Sequence, residues 1–199
     1  MHHIYRTEAI ILSSRPSGDS GKYLTALSKD YGVLKIDAQA VRKTDSKLRQ
    51  SIQDYSVVDI SFVRGKTGNK LVNASFVSSF FYDIKNIKVL KSLTRIFRLI
   101  EKMIVDEEKD ETVYDLLIET EKILQLDNKD SDEFLKALEV VVVYKILSRL
   151  GYISEEGEYE FIISQNISDD LISKVEQFPQ KDRENLIRLI NQAINESHL

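Results

Sequence analysis

Ser56-Val57-Val58-Asp59-Ile60-Ser61-Phe62-Val63, then Arg64-Gly65-Lys66-Thr67-Gly68-Asn69, then Leu71-Val72-Asn73-Ala74-Ser75-Phe76-Val77 is the stretch that decides the fold. The first run alternates, with β-branched residues on one face, which is the period of a half-buried strand. Gly65 and Gly68 make the middle a hairpin turn. The third run completes the partner strand. Towards the N-terminus the same period recurs. Glu8 to Ser13 is an apolar run, and the group Ser14-Arg15-Pro16-Ser17-Gly18-Asp19 reads as the turn that ends it. Lys22 to Leu27 follows, then a turn at Asp30-Tyr31-Gly32, then a strand from Val33 to Ala38. Five short strands suffice for a small closed barrel, which removes the exposed sheet edges by wrapping on itself.

Beyond Phe80 the period becomes helical. Ile84, Ile87, Leu90, Leu93, Phe97, Ile100 and Ile104 form one apolar stripe, and Val113, Leu116, Leu117, Thr120 and Leu124 a second. Asp130 or Ser131 can cap a third helix, and Gly151 favours a left-handed stop at its end. That helix carries Phe134, Leu138, Val141, Val142, Ile146 and Leu150, with Val140 and Val143 on other sides, so it belongs at the centre of a bundle. Tyr159 to Ile163 reads as a lone strand or hairpin arm. Ser168 can cap a further helix, and Pro179 separates it from the last. The expected fold class is α+β. The boundary is expected near Ser79, between a barrel domain over 1–79 and a helical domain over 80–199.

Charge divides the same way. Residues 1–80 hold 12 Lys and Arg against 7 Asp and Glu, while residues 81–199 hold 16 against 25. A basic front half joined to an acidic rear half points to a polyanion at one end. The excess is densest between two strands, in Ala38-Gln39-Ala40-Val41-Arg42-Lys43-Thr44-Asp45-Ser46-Lys47-Leu48-Arg49. Over the whole chain of 199 residues the hydrophobic share is 42% and the charged share 30%, ordinary for a globular protein. There is no cysteine, which removes disulfides and Cys-based zinc sites and fits a reducing compartment. The longest apolar run, Val140 to Tyr144, is far short of the roughly 20 residues of a membrane span. The expected location is cytoplasmic and nucleoid-associated, with no membrane partner.

Residues for catalysis are not evident. The histidines are His2, His3 and His198, all terminal, so no metal site is expected. Gly65-Lys66-Thr67 resembles a fragment of a phosphate-binding loop, but the glycine needed five residues before Gly65 is Ile60. Glu155, Glu156, Glu158 and Glu160 form a carboxylate run of the kind that is usually solvated. The chain is expected not to be an enzyme and to need no cofactor.

The order of the pieces resembles RecO, a family of bacterial recombination mediators. Arg6-Thr7-Glu8-Ala9-Ile10-Ile11-Leu12 is similar to its opening strand. Gly18-Asp19-Ser20-Gly21-Lys22-Tyr23-Leu24-Thr25-Ala26-Leu27-Ser28, followed by Tyr31-Gly32-Val33-Leu34, is similar to its second block. Ala38 to Lys43, Ser46 to Arg49 and Gln53-Asp54-Tyr55 resemble its basic connection. Leu147-Ser148-Arg149-Leu150-Gly151-Tyr152 resembles the stop of its long central helix. The resemblance implies an N-terminal OB-fold and a C-terminal helical domain. It also implies binding to single- and double-stranded DNA and annealing of complementary strands. With RecR, such a protein helps load RecA on DNA coated by single-stranded-DNA-binding protein, whose acidic C-terminal tail docks on the helical domain. Many members carry a four-cysteine zinc module after Leu-Gly-Tyr. This chain has Ile153 to Ser164 there, without cysteine, so the module does not carry over.

An OB barrel binds single strands with a basic groove and aromatic platforms. Arg42, Lys43, Lys47 and Arg49 are the first candidates for phosphate contacts. Arg64, Lys66 and Lys70 flank the last hairpin and extend the track, and Arg15 and Lys35 complete the set. Tyr5, Tyr23, Tyr31, Tyr55, Phe62 and Phe76 are available for stacking, although most aromatics of so small a barrel fill its core. Lys91, Arg95, Arg98 and Lys102 lie along one helix, in the pattern of a solvated face. Two other functions fit the residues. One is a different OB-fold nucleic-acid binder, for RNA or DNA; the other is an interaction scaffold in which the helical half works and the barrel is structural.

Overall fold

A computed structural model describes residues 3–44, 46, 48–80, 87–104, 111–126 and 131–197. Lys47, Ile84, Asp130, His2 and His198, named above, lie outside the described residues. The first strands are β1 (Ile4–Ser17), β2 (Gly21–Ser28) and β3 (Gly32–Ala38), followed by a short helix α1 (Leu48–Ser51). Then come β4 (Ser56–Gly65) and β5 (Gly68–Ser79). They close into a barrel in the order β1-β2-β3-β5-β4, with β1 also paired to β4. All pairs are antiparallel except β3 with β5, which meet in parallel at Ile36↔Asn69 and Asp37↔Lys70. An α+β chain with a five-stranded barrel in the OB layout is therefore what the sequence folds into.

The alternation read in the sequence sorts the side chains. Ala9, Ile11, Leu24, Ala26, Leu34, Ile36, Val58, Ile60 and Phe62 point inward and form the barrel core. Each large one contributes about 1.5–3 kcal/mol by leaving water. Val41 and Ile52 join that core from the connection between β3 and β4, at 1% and 0% exposure. That connection is thus more than a solvated loop: its two apolar ends are buried and α1 lies within it.

The turn expected over Ser14 to Asp19 is shorter than that. β1 runs on to Ser17, paired with Gly21, and only residues 18–20 turn, with Gly18 at φ +56°. A bulge between Ile11 and Ser13 inserts Leu12 and re-aims the rest of the strand, so Pro16 falls near its end, where a missing N–H removes little of the ladder.

The chain falls into two compact units, Met1–Asp83 with Ile104–Tyr114, and Ile84–Met103 with Asp115–Leu199. In the first unit, the hydroxyl of Tyr114 donates to Glu8 Oε1 at 2.6 Å.

The helices after the barrel are α2 (Ile87–Met103), α3 (Glu111–Leu124), α4 (Asp132–Arg149), α5 (Glu160–Ser164), α6 (Asp169–Glu176) and α7 (Gln180–Glu196). In the second unit α4 packs against α2, α5, α6 and α7, as its all-round apolar surface requires. Ser131 caps it by accepting from the Phe134 N–H at 3.2 Å. At the other end Gly151 has φ +79°, Gly151 N–H bonds Ser148 O, and Tyr152 N–H bonds Leu147 O, a Schellman stop. On α2 Leu93, Phe97 and Ile100 are buried as expected, while Val89 and Ile96 widen the stripe and Ile87 is exposed. Tyr159 to Ile163 is not a strand. Tyr159 and Ile162 are the buried pair, three apart, and Glu160–Ser164 is one and a half turns of helix around that spacing. Among the described residues, no helix is long and apolar enough to cross a membrane.

Candidate nucleic-acid interface

Cross-strand partners in a sheet share a face, so the register of the barrel places its outer side chains. Arg15 on β1 stands opposite Tyr23 on β2, Tyr23 opposite Asp37 on β3, and Asp37 opposite Lys70 on β5. The neighbours of these residues along the strands, Leu24, Ile36, Ala38 and Leu71, pack on the barrel interior. The row Arg15–Tyr23–Asp37–Lys70 therefore faces outward across four strands. Its three interstrand steps of about 4.8 Å give a span of roughly 14 Å. The next row on the same face is Ser13–Thr25–Lys35. Arg15, Lys35 and Lys70 are all exposed. The Arg15 guanidinium carbon lies 5.0 Å from the centroid of the Tyr23 ring, within the range of a cation–π contact. Asp37 Oδ2 accepts from Gln39 Nε2 at 3.2 Å.

The basic connection begins where this face ends. Ala40 turns the chain with φ +57°, and the Arg42 N–H bonds the carbonyl of Ser20 at 2.8 Å. Arg42 is thereby fixed beside the β1–β2 turn, with Val41 buried next to it. Arg42 and Lys43 are exposed, and so is Arg49 on α1. The β4–β5 hairpin is stitched to β3, since Asn69 Nδ2 donates to the Lys35 carbonyl at 3.3 Å. Lys66 is exposed at its tip, between the paired Gly65 and Gly68.

Arg64 has a different setting. Its guanidinium lies 5.1 Å from the Tyr5 ring and 5.8 Å from the Tyr31 ring. Tyr5 stacks on Phe62 with centroids 5.4 Å apart, and Tyr31 meets both rings edge-on. Arg64 therefore covers an aromatic plug of the barrel. Tyr55, at φ +66°, turns the chain into β4; its N–H bonds Ile11 O and its carbonyl accepts from Phe80. Of the six aromatics named from the sequence, Tyr23 is half-buried on the outer cationic face, and Phe76 is 46% exposed on β5.

The residue that sequence reasoning passed over is Asp37. Its signal was present: in Leu34-Lys35-Ile36-Asp37-Ala38 the charged residues occupy one face and the apolar residues the other. Among the described residues, no three or more His, Asp or Glu side chains are grouped to hold a metal ion.

The pattern of the family described as "Recombination protein O N terminal" matches residues 1–80 of this chain. Individual relatives agree. "DNA repair protein RecO" of Thermodesulfovibrio yellowstonii is 28% identical over 154 residues, covering 76% of this chain and 59% of the relative. By both measures this chain is similar to the RecO family. The RecO protein of Pelotomaculum thermopropionicum is 24% identical over 149 residues, 75% of this chain and 56% of the relative. That of Dehalococcoides mccartyi strain 195 is 25% identical over 131 residues, 66% of this chain and 51% of the relative. The chain thus matches between half and two thirds of the length of these RecO proteins. The stretch that matches the N-terminal RecO pattern contains the whole outer row and every cation placed on the barrel and its basic connection.

Beyond that stretch, the second unit holds an apolar groove of about 630 Å³. Val140 and Val143 of α4 and Leu186 and Ile190 of α7 line it. Its rim carries Lys136 and an ion pair between Arg95 of α2 and Glu139 of α4, in which Arg95 Nε lies 2.5 Å from Glu139 Oε1. Glu139 also accepts from Ser92 Oγ at 3.0 Å and holds the Arg95 guanidinium above its ordinary pKa through that hydrogen-bonded pairing.

Proposed function

We propose that this chain is a DNA-binding recombination mediator. It holds single strands on the outer β1-β2-β3-β5 face, binds duplex DNA through the same cations, and anneals complementary strands. The observation that carries the reading is the register, which gathers Arg15, Lys35 and Lys70 round Tyr23. In an OB barrel the face of the second and third strands is the one that binds oligonucleotides, by phosphate contacts and base stacking. Arg42, Lys43 and Arg49 continue the cationic track from the β1–β2 turn. Annealing requires two phosphate chains to be held together with their repulsion reduced, and displaced counterions supply the driving force. No nucleotide hydrolysis enters.

The similarity to RecO proteins supports the partners. With RecR, the chain assists RecA loading on DNA coated by single-stranded-DNA-binding protein, and the acidic tail of that protein docks on the helical half. The groove between α4 and α7 suits the apolar end of such a tail, with Lys136 at its rim for a carboxylate. The test uses the purified full chain. Labelled oligonucleotide should be bound in a salt-sensitive manner, and complementary strands should anneal faster in its presence. Binding without any acceleration of annealing would leave a passive OB-fold binder, and tail uptake without DNA binding would leave a scaffold.

A further inference from the structure

Asp37 stands in the middle of a row whose two ends are cationic. Among the cross-strand partners on that face it is the one acid. A phosphate passing over it would be repelled, so the strand cannot lay its backbone across the centre of the face. Beside it lies Tyr23, with the Arg15 guanidinium over the ring. Tyrosine rings and guanidinium planes are both surfaces on which unstacked bases lie. The arrangement therefore divides the work: phosphates go to Arg15, Lys35 and Lys70, and a base goes to Tyr23 and Asp37.

The carboxylate is also held in place. Gln39 donates to Oδ2, which fixes the orientation of the group while leaving further lone pairs for a ligand. An ionised carboxylate only accepts, and it accepts best from two parallel N–H donors. Guanine alone among the DNA bases offers two adjacent donors, N1–H and the N2 amine. Cytosine and adenine offer one amine beside an acceptor, and thymine offers one N–H between two acceptors.

We infer that Asp37 is a base-reading residue which gives this face a preference for guanine in single-stranded DNA. The inference rests on the proposed DNA-binding reading and adds the identity of the favoured base. A guanine held this way has its pairing edge covered, so a complementary strand must displace Asp37, and pairing itself releases the base.

The experiment is fluorescence anisotropy on the full chain with three short oligonucleotides. One is all thymine, one has a single central guanine, and one has inosine there, which lacks the N2 amine. The guanine oligonucleotide should bind about fivefold more tightly than the thymine one, the lower end for a bidentate pair, and inosine should lose most of that gain. Asp37→Thr, a strand-compatible change, should bind all three alike. Equal affinity of the natural chain for the three, or a guanine preference that survives Asp37→Thr, overturns the inference while leaving DNA binding intact. The inosine comparison needs no variant and holds even if Asp37→Thr folds poorly. Absence of binding to every oligonucleotide overturns both this inference and the reading beneath it.

Discussion

Lys145 Nζ, 2% exposed as a residue, donates to the Ile163 carbonyl at 3.1 Å and thereby fastens α5 to the C-terminal part of α4. The same ammonium donates to the Gln165 carbonyl at 2.5 Å. On the neighbouring residues, Glu119 Oε2 accepts from the Ile167 N–H at 3.2 Å. One buried cation and one acid thus order the chain between α5 and α6, in a region where the sequence offers no cysteine for a metal.

Burial pushes the Lys145 pKa down to about 8, with Arg149 acting in the same direction and Glu119 against it. The sign of the stability effect follows. Between pH 8 and the ordinary value of 10.5 the unfolded chain holds this proton and the folded chain releases it. Stability from this group is therefore gained as pH rises through that window and lost as pH falls through 8. Tyr144 and Tyr159 oppose it from about pH 10, because burial raises their pKa values and the unfolded chain loses those protons first. Urea unfolding of the wild type should show a rise in stability above pH 8 that levels off near pH 10. Lys145→Met should lack the rise and be less stable at pH 7 by about 1–3 kcal/mol, because two carbonyls lose their donor. A variant with the same pH profile as the wild type would remove Lys145 from this role.

Gly21 on β2 is closely packed. A Cβ there would lie 2.7 Å from the Ser17 carbonyl oxygen and 3.2 Å from that of Ala38. Both are backbone atoms, so β1 and β3 would have to separate at the point where they position Arg15 and Asp37. Gly21→Ala should cost about 1–3 kcal/mol, the usual penalty of overpacking, and should weaken oligonucleotide binding as well. Denaturant midpoints and anisotropy on one preparation check both effects. A variant of unchanged stability would mean that the β1–β2 turn yields at little cost.

The barrel was legible because its alternation is strong. Inward Leu34, Ile36, Val58, Ile60 and Phe62 declare the period without help, and the glycines at 65 and 68 mark the hairpin. The end of β1 was not legible, since Pro16 and Gly18 both signal a turn and only the bulge after Ile11 decides between them. The helix at Glu160–Ser164 was hidden by its length: Tyr159-Glu160-Phe161-Ile162-Ile163 suits a strand locally, and burial of Tyr159 and Ile162 together overrides that preference. The candidate site was half legible. Cations could be picked by charge, but the grouping of Arg15 with Lys70 depends on β3 pairing in parallel with β5, which no local pattern contains. Likewise nothing local says that Arg64 turns back over Tyr5.

Two groups of cations are separable by mutation. Replacing Arg15, Lys35 and Lys70 together by glutamine should weaken single-strand binding and flatten the salt dependence. The slope of log affinity against log salt should fall by about 0.7 per lost phosphate contact, hence by roughly 2 for the three. Charge reversal of Arg42, Lys43, Lys47 and Arg49 should flatten the slope too, by removing the track beyond the β1–β2 turn. Arg64→Gln should act differently, with a loss of stability through the Tyr5–Tyr31 plug and little change in slope. If Arg64→Gln alone flattened the slope as much as the face triple, the track would run over the hairpin rather than across β2 and β3.

Annealing by this chain should not depend on nucleotide. Gly65-Lys66-Thr67 is the one fragment that resembles a triphosphate cradle, and its setting decides its role. Gly65 pairs with Gly68 across a two-residue turn, Lys66 sits at the tip, and the chain continues into β5. A phosphate-binding loop instead wraps a run of N–H groups round the phosphates and leads into a helix, whose N-terminus adds its dipole. A strand offers neither the wrap nor the dipole. Complementary oligonucleotides should therefore anneal at the same accelerated rate with and without ATP and magnesium, followed by quenching of a donor–acceptor dye pair. Lys66→Gln should reduce that rate no more than any other single phosphate contact. A rate that required ATP, or that Lys66→Gln abolished outright, would assign the hairpin a chemistry beyond electrostatics and would make the chain an enzyme.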